Sequence, residues 1–221
     1  MKRRKAGATI IATGIRKKRH TSPNVFKNNQ KLILLTTVFI SGVLLGILFV
    51  KYSSATTFTT LQNLMKAHFK QCESQSVWLN FLTTFSTEFL YIFAAVLFGF
   101  CIVGEPLLWI LPLVKGLGVG AVSACLYKAY TLQGLEYYAA FLLIPSALYA
   151  TVLLFSCKES ILFSRDINRS IFKNTNILKG LTDVKLYLLR HFVLSLILLL
   201  GTVMYALLLQ VLQGKITLFS A

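Results

Sequence analysis

Long apolar runs alternate with short polar or basic segments along this chain, and five of the runs are long enough to cross a bilayer. A spanning helix needs about 20 predominantly apolar residues, because a helix rises ~1.5 Å per residue through about 30 Å of hydrocarbon. The first run, residues 32–50, carries no charge. The second covers 85–103 with Glu88 near its start, and the third covers 106–127 and contains Lys115. The fourth covers 137–156, and the fifth, 191–212, follows a charged lead-in at Asp183, Lys185 and Arg190. This pattern predicts an all-α, polytopic membrane domain over residues 32–212.

The intervening segments have patterns of their own. Residues 1–31 show no apolar periodicity and are broken by Pro23 and Asn24, which predicts a disordered arm. In the loop 51–84, Phe58, Leu61, Leu64, Met65, His68 and Phe69 fall on one helical face, which predicts a short amphipathic helix lying on the membrane or meeting a partner. Phe58, Leu61, Met65 and Phe69 are its candidate partner face. In the loop 157–190, Ile161, Leu162, Phe163, Ile167, Ile171 and Phe172 alternate with Arg165, Asp166, Arg169 and Lys173. That predicts an interfacial helix, ended by breaks at Asn174-Thr175-Asn176 and Gly180. Residues 213–221 form a short tail.

Composition sharpens the class. Hydrophobic residues make up 56% and charged residues only 14%, yet the net charge is +16. An apolar remainder of this kind excludes a soluble enzyme, a disordered basic protein and a secreted disulfide scaffold. Charge placement orients the spans, since Lys and Arg concentrate in short cytoplasmic segments. Residues 1–31 carry ten basic residues and no acid, and 157–190 carry seven more. The opposite side has five: Lys51, Lys66, Lys70, Lys128 and Lys215. The N-terminus is therefore expected inside and the C-terminus outside. The arm is expected to touch anionic membrane lipid and no nucleic acid, because it lacks aromatic or structured reading elements. Cys72, Cys101, Cys125 and Cys157 have no metal or framework spacing, and His191 stands alone at the edge of the fifth span. No H-E-x-x-H or phosphate-cradling motif occurs, so the expectation is a non-enzyme with no cofactor and no metal.

The third span is the unusual one. It begins Gly104-Glu105-Pro106 and continues through Pro112, Lys115, Gly116, Gly118 and Gly120. An internal proline followed by alternating glycines predicts a kinked or broken helix. Gly116, Gly120 and Ala124 form one small-residue row and Gly42 and Gly46 another. Such rows allow close helix contact, expected within the molecule ahead of contact between two copies in a homo-oligomer. Lys115 lies about 16 Å beyond the inner turn at ~1.5 Å per residue, near the midplane. A charge there is costly, which marks Lys115 as a functional or structural candidate. Glu88, about 24 Å above that turn by the same rise, is its nearest partner by depth, with a mismatch of about 8 Å.

At this segment the chain resembles the stage II sporulation protein M family. The likeness rests on the order Gly104-x-Pro106, eight apolar positions, Lys115-Gly116 and Gly120, inside a five-span layout with a first outer loop. The resemblance implies a non-enzymatic component of the bacterial cytoplasmic membrane. It would recruit or hold cell-wall hydrolases, a lytic transglycosylase and an amidase/endopeptidase, at the septal membrane during engulfment of the forespore. The rival is a channel or transporter subunit using the broken third span and Lys115 as a pathway. Inverted repeats would favour the rival, and none is visible.

Overall fold

The computed structural model describes residues 25–101, 103–173 and 177–212. Residues 1–24 of the basic arm, the breaks at 174–176 and the tail 213–221 lie outside the described residues. Six α-helices follow one another: α1 (Val25–Tyr52), α2 (Ala55–Ser74), α3 (Val77–Phe100), α4 (Gly104–Tyr137), α5 (Leu143–Lys173) and α6 (Ile177–Leu212). A π-helical turn, Tyr138–Leu142, joins α4 to α5. Among the described residues, five helices are long and apolar enough to span a membrane: Gln30–Tyr52, Val77–Phe100, Gly104–Leu132, Leu143–Asn168 and Val184–Leu209. The surface is correspondingly apolar, with Ile33, Leu44, Leu90, Leu97, Phe192 and Leu200 all exposed. This is the arrangement expected of helices whose outer faces meet lipid.

Both corners flanking α2 are locally encoded. Ser54 caps α2, its hydroxyl accepting from the Thr57 N–H at 3.3 Å, and Ser76 caps α3 by accepting from Leu79 N–H at 3.4 Å. Each serine satisfies a donor that the first helical turn leaves without an intrahelical partner. Asn80 then donates from Nδ2 to the Cys72 carbonyl at 2.6 Å, tying the end of α2 to the first turn of α3. At the opposite end of α3, the Gly104 N–H bonds the Cys101 carbonyl at 3.1 Å. A Cβ on Gly104 would stand 1.7 Å from the Phe98 carbonyl oxygen, so this tight turn admits only glycine.

Helix α5 occupies the centre and touches α1, α3, α4 and α6, while α1 lies along α4 and α2 rests on α4. One core cluster, Leu35, Ala95, Leu108, Leu153, Cys157 and Ile161, joins four helices near the basic end of the bundle. A second joins Ile92, Tyr149, Val152 and Leu198, and a third joins Leu126 and Tyr138 near the far end.

Three sequence expectations are corrected. The fourth span does not stop at 156, and 157–173 is not an interfacial helix: α5 runs unbroken through both, with Ser156, Cys157, Ser160, Ile161, Phe163 and Ser164 buried. Polar residues on its other faces mimic a surface helix, but the bundle needs a central helix longer than its apolar run. Gly180 breaks nothing, because α6 runs through it. The third span is kinked, as its sequence predicts, but not at Pro112 or the glycines. Pro112 is buried inside continuous α4, and the non-helical residue is Thr131 (φ 53°, ψ −130°), at the far end of the span. Backbone groups in hydrocarbon have no water to turn to, so the helix loses only the bond that Pro112 cannot make. The irregular backbone falls instead where the span ends.

Candidate functional site

Two packing features bring the intramembrane candidates together. The first is a seam between α1 and α4. A Cβ on Gly42 would lie 2.4 Å from the Leu113 carbonyl oxygen, and one on Gly46 would lie 2.3 Å from that of Leu117. Reciprocally, a Cβ on Gly116 would lie 2.3 Å from the Phe39 carbonyl oxygen, and one on Gly120 2.1 Å from that of Val43. The two small-residue rows interlock within one molecule, backbone against backbone.

That seam fixes the rotation of α4, and Lys115 then faces α3. Its Nζ donates to the Glu88 carboxylate, an ion pair whose side chains are only 15% and 13% exposed. The depth mismatch expected from sequence nearly vanishes. Helix α3 ends at Phe100, not within the turn, so Glu88 lies about 18 Å from its helix end and Lys115 about 17 Å from the start of α4. The Lys115 ammonium also sits 5.0 Å from the centroid of the Tyr91 ring. A cavity of about 220 Å³ adjoins the pair, bounded by Tyr91, Lys115, Gly118, Tyr138, Leu142 and Ser146. Pairing makes the two charges tolerable at this depth, because each alone would be stranded in a low-dielectric interior.

Gly104 is the buried pivot of the α3–α4 turn, and Pro106 follows in the first turn of α4, where a missing N–H leaves no intrahelical bond unmade. Glu105 in the same turn is gripped by Arg165 of α5, with Nε donating to Oε2 at 2.9 Å and the second guanidinium nitrogen to Oε1. The candidate partner face of α2 lies elsewhere and points inward. Phe58, Leu61, Met65 and Phe69 are half-buried, and Met65 and Phe69 pack on the cluster of Leu126 and Tyr138. Phe58 lies under the Lys128 ammonium at 4.5 Å. The face is therefore largely occupied within the molecule, because α2 folds back over the end of α4 and the π-helical turn that follows it. The outward side carries Thr60, Ala67 and Leu64, the last 63% exposed.

Sequence reasoning missed a buried polar cluster at the basic end. Ser160 of α5 lies 2.9 Å from the Tyr187 hydroxyl and 3.2 Å from His191 Nε2. Tyr187 also donates to the Val96 carbonyl at 3.2 Å, and His191 Nδ1 faces the Tyr187 carbonyl at 3.0 Å. A carbonyl only accepts, so Nδ1 carries a proton and donates to it. Ser160 is 0% and His191 4% exposed, and the cluster joins α3, α5 and α6. Its sequence signal was the row Ser156, Ser160, Ser164, four residues apart on a helix that the sequence reading ended at 156. His191 is thus not alone. Among the described residues, no group of three or more His, Cys, Asp or Glu is placed to hold a metal.

Comparison with known proteins adds one match. The family model for stage II sporulation protein M matches residues 18–210. No curated protein and no solved structure matches the chain. The match spans all five apolar helices, the glycine seam and the Lys115–Glu88 pair, and the chain belongs to the stage II sporulation protein M family.

Proposed function

We propose that this chain is a non-enzymatic integral membrane scaffold that recruits or anchors peptidoglycan hydrolases at the septal membrane during sporulation engulfment, with its N-terminus in the cytoplasm. Family membership supports the sporulation role. The observation that carries the scaffold reading is the Lys115–Glu88 pair: the charged groups at mid-membrane depth are closed on each other inside a continuous bundle. The interaction surface is then sought outside the spans, on the outward side of α2. The test is co-purification of the hydrolases from sporulating cells. Leu64→Glu with Ala67→Glu should abolish capture while membrane abundance stays normal, whereas Met65→Glu, which disrupts internal packing, should lower abundance itself. Undiminished capture by the outward variant would overturn the assignment of α2 as the recruiting element.

The rival reading, a channel or transporter subunit, draws on one observation, the cavity of about 220 Å³ beside Lys115. It requires Lys115→Met to keep normal abundance and lose function. The scaffold reading requires that variant to lose abundance.

A further inference from the structure

The seam between α1 and α4 holds the helices at backbone distance as far as Gly46 and Gly120. One turn further along, larger side chains return on α1 and a cleft of about 580 Å³ opens between the helices. Its walls are apolar, formed by Ile47, Val50, Ala124 and Tyr127, and its rim carries Lys51 and Lys128. The span of α1 ends at Tyr52 and that of α4 at Leu132. Both lysines therefore stand at headgroup depth, while Ile47 and Ala124 lie about 6 Å deeper at ~1.5 Å per residue.

The rim is cationic. Among the described residues, neither lysine forms an ion pair. Lys128 spends one N–H on the Val50 carbonyl at 3.3 Å, at the end of α1, and lies over Phe58 at 4.5 Å. These contacts fix its ammonium at the mouth of the cleft with two further donors to offer. Lys51 lies 5.6 Å from the Tyr52 ring, and both side chains are exposed.

We infer that this cleft binds an anionic phospholipid, its phosphate between Lys51 and Lys128 and the start of an acyl chain against Ile47, Ala124 and Tyr127. Two cations, with no carboxylate among the described residues lining the cleft, select a net negative headgroup. A zwitterionic lipid brings its own cation to the same rim and gains less. The apolar wall one turn below the lysines offers nothing to a free phosphate ion, which makes a lipid the occupant. The site stands at the opposite end of the bundle from the basic arm, so the two contacts with anionic lipid are separable.

The test uses the purified full chain in phosphatidylcholine nanodiscs doped with phosphatidylglycerol carrying a diazirine near the top of an acyl chain. Crosslinks mapped by peptide sequencing should fall on 47–51 and 123–128 as well as on the arm. Lys51→Gln with Lys128→Gln should cut the cleft signal by about fivefold or more, the effect of removing one to two cations at a membrane surface, and leave the arm signal unchanged. Lys51→Gln alone, which removes no bond between helices, should still lower it and guards against misfolding of the double variant. A phosphatidylcholine probe at the same mole fraction should label the cleft weakly. Equal labelling by that probe, or full labelling of Lys51→Gln, would overturn the site. Displacement by millimolar inorganic phosphate would overturn the lipid as occupant.

Discussion

The α1–α4 seam and the α3–α5–α6 cluster hold helices together by opposite means. In the seam, the atoms nearest each of the four glycines are backbone, carbonyl oxygens foremost. The cluster is held through side chains: Tyr187 stacks on Phe163 at 4.0 Å, meets Phe100 edge-on at 5.5 Å, hydrogen-bonds Ser160 and donates to the Val96 carbonyl. Lipid is as apolar as leucine, so helices in a bilayer gain little from hydrophobic burial and rely on close packing and hydrogen bonds. The seam relies on packing and the cluster on both. The difference shows in what each tolerates, because a backbone cannot move aside, whereas the far end of a tyrosine can shift.

The largest expected effect is therefore at the seam. Gly120→Leu drives a side chain into the Val43 carbonyl and should destabilise by more than about 4 kcal/mol, the range of severe core lesions. No folded protein should be recovered from membranes. Gly118→Ala, two positions away with nothing within 4 Å of its Cβ, should be neutral or gain about 0.5–1 kcal/mol from helix propensity. Equal behaviour of the two would break the comparison.

Between the two regions stands the Lys115–Glu88 pair. Lys115→Met strands Glu88 and should cost about 3 kcal/mol, as should Glu88→Gln, which strands Lys115. The double substitution should restore much of the protein level, because directly contacting groups are strongly coupled. Immunoblots of membranes from the three variants measure this.

At the cluster, Gly99→Ala places a Cβ 2.2 Å from the Tyr187 hydroxyl and should cost about 2 kcal/mol by overpacking. Tyr187→Phe alone should cost about 1 kcal/mol for its lost hydrogen bonds. Combined, the two should cost less than their sum, since the clashing oxygen is gone. Thermal unfolding of detergent-solubilised protein decides, and strict additivity would show that the clash is relieved elsewhere.

The smallest effect concerns orientation. Cys157 is fully buried and reports on burial alone, so sidedness is read from Cys72 and the exposed Cys101. An impermeant thiol reagent on intact cells should label Cys72 and spare Cys101. Burial raises the Cys72 thiol above its ordinary value. The reactive thiolate is therefore scarce near neutrality, and labelling should climb as pH rises beyond the usual thiol range.

What was legible from the residues follows from the bilayer's demands on a single helix. Five apolar runs, two glycine rows four residues apart and one lysine at mid-depth each carry their meaning locally, since length, spacing and charge in hydrocarbon need no knowledge of neighbours. The tertiary structure alone decided which helix is central. α5 extends as a span past its apolar run because α3 and α6 cover its serines, and the same burial turns His191 from a solitary residue into a bonded one. It also turned the apolar face of α2 inward, since a half-apolar helix reads the same whether it meets lipid, a partner or its own bundle. Depth along the chain was limited in the same way. Where α3 ends sets how deep Glu88 lies, and only the packing of α3 against α4 brought its carboxylate to Lys115, since the rise along one helix says nothing of its neighbour.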